Sequence, residues 1–249
     1  MAEYRILHMY KDLMNLYGDW ANADILARTL KACGHSATIE SKSVGDDVSF
    51  EGYDIMYIGS GTERSQRACM QDLERHKEKL TEQVEAGLFV LATGNSHELF
   101  GLAVMTKDKE RYNALGILDF ETEQESTRVT GDCIYSASFL SQRLIGFINR
   151  AGSVQHGSNS VERPFTAEFE PSAGLCDNSH FEGIRYKNLL GTYLTGPILV
   201  RNPYLLAYFT DTLTASDSGI SRSAMMESAL FKRQEAAYQT ALNELLLRK

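Results

Sequence analysis

The spacing of apolar residues changes several times along this chain, and each change predicts an element. Residues 4–9, Tyr-Arg-Ile-Leu-His-Met, read as a first buried strand. From about residue 20 to 33, Ile25, Leu26 and Leu30 share one helical face, and Gly34 supplies a stop. Short apolar runs at 36–40 and 54–58 predict a second and a third strand. A long polar helix is expected over 63–86, with Thr62 as N-cap, Leu73, Leu80 and Val84 on its inner face and Gly87 at its end. Residues 88–92 form a fourth buried run that breaks at Gly94 and passes into a segment of helical apolar spacing. A strand, a sharp turn and a helix make the frame on which many α/β enzymes mount a nucleophile.

Beyond Leu118 the pattern shortens. Residues 128–135 and 144–149 read as strands, 151–182 as loops with a hairpin, and 186–197 as a strand ending in a turn. After the polar stretch 216–223, a final helix puts Phe231, Tyr238, Leu242 and Leu245 on one face, which either packs on its own domain or docks a partner subunit. Alternating strands and helices predict an α/β fold: a doubly wound, mostly parallel sheet flanked by helices, with a C-terminal helical extension. Its crevice is expected at the carboxyl ends of the strands, where the loop at 59–61 meets the turn at 94–97. The expected division is a main domain over residues 1–202 and the helical extension over 203–249, packing on that domain or on a partner.

Composition narrows the choice of partners. A net charge of −8 argues against nucleic acid, whose phosphates need a basic face. No run approaches the roughly 18 apolar residues that span a bilayer. The chain enters its first strand directly from Met1-Ala2-Glu3 without a signal peptide, so a cytoplasmic protein is expected. Cys33, Cys69, Cys133 and Cys176 are scattered, which predicts reduced, buried thiols. No metal and no cofactor is expected.

Short motifs add a second line of argument. They are Leu16-Tyr17-Gly18-Asp19, the stretch Ile58-Gly59-Ser60-Gly61-Thr62-Glu63-Arg64-Ser65-Gln66, and Leu115-Gly116-Ile117-Leu118. Thr127-Arg128-Val129-Thr130-Gly131-Asp132 follows, then Gly146-Phe147, and finally Lys187-Asn188-Leu189-Leu190-Gly191-Thr192-Tyr193-Leu194 ahead of Gly196-Pro197-Ile198-Leu199. Together, over residues 4–202, they resemble the class I glutamine amidotransferase domains of the cobyric acid synthase (CobB/CobQ)-like branch. Within it they are most similar to the glutaminase subunits of the lipid II isoglutaminyl synthase type. The resemblance implies a flavodoxin-like fold and a cysteine at the turn that attacks the carboxamide of glutamine. It also implies a histidine after the Gly-Thr-Tyr-Leu strand, backbone N–H groups that hold the oxyanion, and ammonia passed to a Mur-ligase-like synthetase in cell-wall (peptidoglycan) synthesis.

Both catalytic positions depart from that pattern. Counted back from Gly101 without a gap, Gly94 falls on the nucleophile, His97 on a tyrosine and Glu98 on a glutamine; Thr195 falls on the histidine. Arg150 stands where the pattern more often has histidine. Glycine offers no nucleophile and threonine no base near neutral pH. The expectation is a pseudoenzyme: a subunit without glutaminase activity that binds and scaffolds a Mur-ligase-like synthetase. Arg128, Gly59, Gly61 and Asn95 are the candidates for binding glutamine or a small carboxylate. Arg128 can equally be a surface arginine, and the glycines can serve only the turn. The alternative is an active amidotransferase subunit, or another hydrolase with Ser96 as nucleophile and His156 or His180 as base. His97 is the remaining candidate on the turn, and its other reading is an ordinary polar residue at a helix start.

Overall fold

A computed structural model describes residues 1–157, 161–171, 181–215 and 222–248. Cys176, His180 and most of the polar stretch 216–223 lie outside these, as does the side chain of His156. The chain runs β1 (Glu3–Met9), α1 (Ala21–Ala32), β2 (Ser36–Lys42), β3 (Ile55–Ile58), α2 (Glu63–Glu74), α3 (Lys77–Ala86), β4 (Phe89–Thr93) and a 3-10 helix (Gly94–Phe100). Then come β5 (Ala103–Met105), β6 (Arg111–Asn113), β7 (Phe120–Ala137), β8 (Leu140–His156), β9 (Phe165–Phe169), β10 (Phe181–Glu182), β11 (Ile184–Tyr186) and β12 (Leu189–Thr192). Four helices finish it: α4 (Ile198–Arg201), α5 (Pro203–Leu213), α6 (Arg222–Glu227) and α7 (Ala229–Leu246).

The main sheet has the order β2-β1-β3-β4-β12-β11 and is parallel except for β11, which returns against β12. This is the expected doubly wound α/β sheet, in the flavodoxin-like strand order. Ile55, Met56, Val90, Leu91 and Ala92 are all buried, as central strands covered by helices on both faces require. A second sheet, β10-β9-β7-β5-β6 with β8 on β7, is antiparallel except at β5–β7. Its spine is the hairpin of β7 and β8, interrupted by a register shift between Gln124 and Val129. An isolated bridge between Ile148 and Leu194 joins this sheet to the end of β12.

Several local expectations are corrected. The helix over 63–86 is two helices: Asp72, near the end of α2, accepts from Tyr10 Oη at 2.8 Å and the Gly45 amide at 3.0 Å and pairs with Arg75. Those bonds tie the last turn of α2 to the loops after β1 and β2, and the chain re-aims at Arg75 and His76 to bury Leu80 and Val84. The segment after Gly94 is a 3-10 helix. The short strands at 128–135 and 144–149 are parts of one long hairpin, and β9 and β10, paired antiparallel, fall in the stretch read as loops with a hairpin. The strand at 186–197 is a tight hairpin, β11–β12, turning at Lys187 with φ 49°.

Leu205, Leu206 and Phe209 of α5 sit in the main core. The apolar face of α7 packs within the chain: Phe231, Tyr238, Leu242 and Leu245 join Ile134, Ile145 and Tyr204 in a second cluster. Ser228 caps the helix on the Phe231 amide at 3.1 Å, and Tyr238 donates to the Arg143 carbonyl at 2.8 Å. Truncating the 3 % exposed Phe231 to alanine is therefore expected to cost about 3 kcal/mol, the scale for a buried aromatic. Chemical denaturation measures this, and an unchanged midpoint would mean that α7 adds nothing to the fold.

Candidate functional site

A buried carboxylate assembles the carboxyl ends of the strands. Asp19, in the loop after β1, accepts from the Tyr17 amide at 3.0 Å, the Gly196 amide at 3.1 Å and Ser60 Oγ at 3.1 Å. Three loops, following β1, β3 and β12, are thus held by one side chain. Asn22, in the first turn of α1, extends the tie by donating to Tyr57 Oη at 2.8 Å and the Gly196 carbonyl at 2.9 Å, and by accepting the Leu199 amide at 2.9 Å. Burial raises the Asp19 carboxyl above its ordinary value, and the two amides and the Ser60 hydroxyl pull the other way. Gly59 is required for this closeness, because a Cβ there would sit 2.6 Å from Asp19 Cβ.

The turn beyond β4 has the geometry of a nucleophile elbow without the nucleophile. Gly94 stands at φ +62°, a left-handed conformation that side-chain-bearing residues adopt only under strain. A Cβ at residue 94 would overlap Ser60 Oγ and lie 2.7 Å from Ser60 Cβ. The serine hydroxyl thus occupies the space a side chain at the turn would need. Next to it, Asn95 Oδ1 takes the Gly61 amide at 3.0 Å. Ser96 Oγ is buried and donates to the carbonyls of Thr93 at 2.8 Å and Ile58 at 3.0 Å. The His97 ring is buried, meets the Gly94 carbonyl at 2.7 Å through Nδ1 and lies edge-on to Tyr193 at 4.3 Å. Thr195 Oγ1 donates to the Phe147 carbonyl at 3.0 Å.

A narrow cleft opens above these loops, leaving only ≈ 20 Å³ for the centres of water-sized groups. Ser60, Gly61, Asn95, Arg128, Arg150 and Thr195 are among its lining residues, so the structure brings together three of the four binding candidates, Gly61, Asn95 and Arg128, with Thr195. Ser96, His97 and Gly59 lie beneath the lining. Arg128 lies within the register shift in β7, between Gln124 and Val129, a device that redirects side chains. It reaches across to Glu63 at 2.5 Å and to Asn149 Oδ1 at 2.9 Å, and Asn149 in turn donates to Tyr17 Oη at 2.8 Å.

Sequence reasoning missed the inner wall. Glu98 is fully buried and accepts from Gln66 Nε2 at 2.7 Å and Tyr193 Oη at 2.9 Å. Glu182 accepts the Tyr193 amide at 2.5 Å and Thr192 Oγ1 at 2.8 Å. Arg150 lies 5.1 Å over the Tyr193 ring and pairs with Glu170 at 2.9 Å. Burial pushes both Glu98 and Glu182 up to about 7, against the donors that favour their charged forms. The available signal was Thr192 and Thr195 set around Tyr193 in an otherwise apolar run, and Ser60 between two glycines. Among the described residues no group of histidine, cysteine, aspartate and glutamate side chains could hold a metal ion, and no helix is long and apolar enough to cross a membrane.

Comparison with known proteins places this arrangement in context. A profile of the CobB/CobQ-like glutamine amidotransferase domain matches residues 5–203. The chain is 32% identical over 211 residues to a protein of Staphylococcus aureus (strain N315), covering 85% of this chain and 84% of that one; it is named lipid II isoglutaminyl synthase (glutamine-hydrolyzing) subunit GatD. A Streptococcus pneumoniae (strain ATCC BAA-255 / R6) protein of the same name is 29% identical over 204 residues, covering 82% and 77%. Among solved structures, a glutamine amidotransferase aligns with a TM-score of 0.56 at 18% identity over 84% of this chain and 98% of that chain. One from Thermotoga maritima aligns with a TM-score of 0.53 at 13% identity over 98% and 97%. At such identities the structures speak to fold alone.

Two outcomes follow from the geometry. Gly94→Ala should destabilise the protein by about 2 kcal/mol or more, from left-handed strain plus overlap with Ser60. In a Ser60→Gly background that cost should shrink, and a double-mutant cycle without coupling would contradict the overlap. The second outcome concerns pH. Glu98 and Glu182 titrate near 7 when folded and 4.5 as free side chains, so between these values the folded protein holds more protons than the unfolded chain. Stability must then fall as pH rises from about 4.5 to about 7, by up to roughly 3 kcal/mol per group. Melting temperatures from pH 5 to 8 should fall less steeply in Glu98→Gln.

Proposed function

The chain belongs to the CobB/CobQ-like glutamine amidotransferase family, and from that premise we propose that it is a glutaminase-like subunit that leaves glutamine intact and serves as binding and scaffolding partner of a ligase-type synthetase. The observation that carries this reading is Gly94: the turn keeps its elbow conformation, presents no side chain, and has Ser60 in the space a thiol would use. Thr195, the residue aligned with the histidine of the family pattern, holds its hydroxyl on the Phe147 carbonyl and takes up no proton near neutral pH. The named relatives are subunits of lipid II isoglutaminyl synthase, which supports a Mur-ligase-like partner acting on a cell-wall precursor in the cytoplasm. The cleft between Arg128, Gly61 and Asn95, backed by Gly59, would hold glutamine or another small carboxylate without turning it over. Arg128 is the group that gives it anion selectivity.

The test is glutamate and ammonia release from glutamine by the purified chain, alone and co-expressed with the products of neighbouring genes. No release is expected in either case, together with co-purification of a synthetase. Gly94→Cys alone should stay inactive, because Ser60 crowds the new thiol and Thr195 is no base. A robust rate from that variant, or wild-type release lost in Ser96→Ala, would overturn the reading.

A further inference from the structure

We propose that Ser60 and Asp19 form a nucleophile–base pair that takes short acyl groups from activated esters, an activity separate from glutamine hydrolysis. Three observations meet at Ser60. Its Oγ fills the volume a side chain at the elbow would occupy, so the hydroxyl stands where the frame presents a reacting atom. It lines the cleft, together with Thr195 and Arg128. Its hydrogen-bond acceptor is a carboxylate, Asp19 Oδ1 at 3.1 Å. Thr93 Oγ1 reaches the same oxygen only at 3.5 Å, and Ser96 and Thr195 give their protons to backbone carbonyls.

Asp19 is positioned to take the Ser60 proton. The Tyr17 amide holds Oδ2 at 3.0 Å, and the Gly196 amide holds Oδ1, the oxygen that accepts from Ser60, at 3.1 Å. Burial, the largest influence on this carboxyl, makes it more basic than an exposed aspartate. In the reaction Ser60 Oγ bonds to the acyl carbon while its proton passes to Asp19. The bond from that carbon to the alcohol oxygen breaks, and the departing oxygen takes the proton back. Water then repeats the sequence on the acyl-serine, releasing the acid and restoring Ser60. An activated alcohol or phenol leaves with little help from that returned proton, whereas an amide nitrogen leaves only once protonated, so the pair suits activated esters. The cleft is narrow, with ≈ 20 Å³ for the centres of water-sized groups, which favours the shortest acyl groups, such as acetyl.

The full chain is treated with p-nitrophenyl acetate and, separately, with diisopropyl fluorophosphate, followed by intact mass and peptide mapping. One adduct is expected, on Ser60. Ser60→Ala should remove it and lower p-nitrophenol release at least tenfold, Ser60→Cys should restore acetylation, and Ser141→Ala on the exposed face of β8 should behave as wild type. p-Nitrophenyl hexanoate should react at least tenfold more slowly than the acetate. The wild-type rate should rise with pH through a carboxyl titration above the ordinary aspartate range and lose that step in Asp19→Asn. A folded Ser60→Ala protein that reacts at the wild-type rate, or an adduct on any other residue in place of Ser60, would overturn the proposal. Glutamine release is assayed alongside, so failure here and failure of the scaffolding reading are told apart.

Discussion

Three loops of this protein end at one carboxylate. Asp19 is taken out of water, which for an ionised group is costly unless its lone pairs are filled, and they are filled by donors drawn from the loops after β1, β3 and β12. That requirement fixes the rest of the crevice. The loop at 59–61 must come close enough for Ser60 to donate, which leaves no room for a side chain at Gly59. The β12 loop must present the Gly196 amide, which sets the start of α4, and Asn22 then takes the Gly196 carbonyl and the Leu199 amide from the same side. Stability and the shape of the cleft rest on the same few hydrogen bonds.

From this closeness follows a steric exclusion. With the 59–61 loop drawn against Asp19, residue 60 and residue 94 face one another across a gap that holds one side chain. This chain fills it from position 60, and the elbow at 94 keeps its left-handed backbone with glycine. The frame and the nucleophile are therefore separable: strand β4, the turn and the 3-10 helix are maintained by core packing and by Ser96 and His97, whose polar atoms serve the turn's own backbone. The architecture of the turn does not depend on which side chain fills the gap, which is why function has to be argued from the site.

Much of this was legible in the residues. The buried runs of β1, β3 and β4, the glycine stops at Gly34 and Gly87 and the seam of α7 depend on local pattern, and they stand where the pattern put them. The break at Gly94 could be read from the end of the fourth buried run. The role of Ser60 could not, because it depends on a contact between residues 34 positions apart in different loops. The break between α2 and α3 was equally hidden: Asp72 looks like any solvent-facing acid on a polar helix until Tyr10 and Gly45 are brought to it. The antiparallel sheet was read as fragments because its long strands are polar, twisted and interrupted by a register shift, so neither alternation nor an apolar run marks their length.

The inner wall shows how such a crevice tolerates charge. Tyr193 lies between two buried acids, its hydroxyl on Glu98 and its amide on Glu182, with the Arg150 guanidinium over its ring and Glu170 beyond. Were both acids ionised, one nearby arginine already paired with Glu170 would have to balance them. The lower-energy arrangement lets the acids keep protons toward neutrality. Glu98 belongs to the 3-10 helix and Glu182 to the second sheet, and Tyr193, just before the residue that bridges Ile148, holds one with its hydroxyl and the other with its amide. Of the two acids Glu98 lines the cleft, so a ligand that brought its own charge there would act first on its proton, and a loss of that proton would leave Tyr193 between two acids with less to balance them.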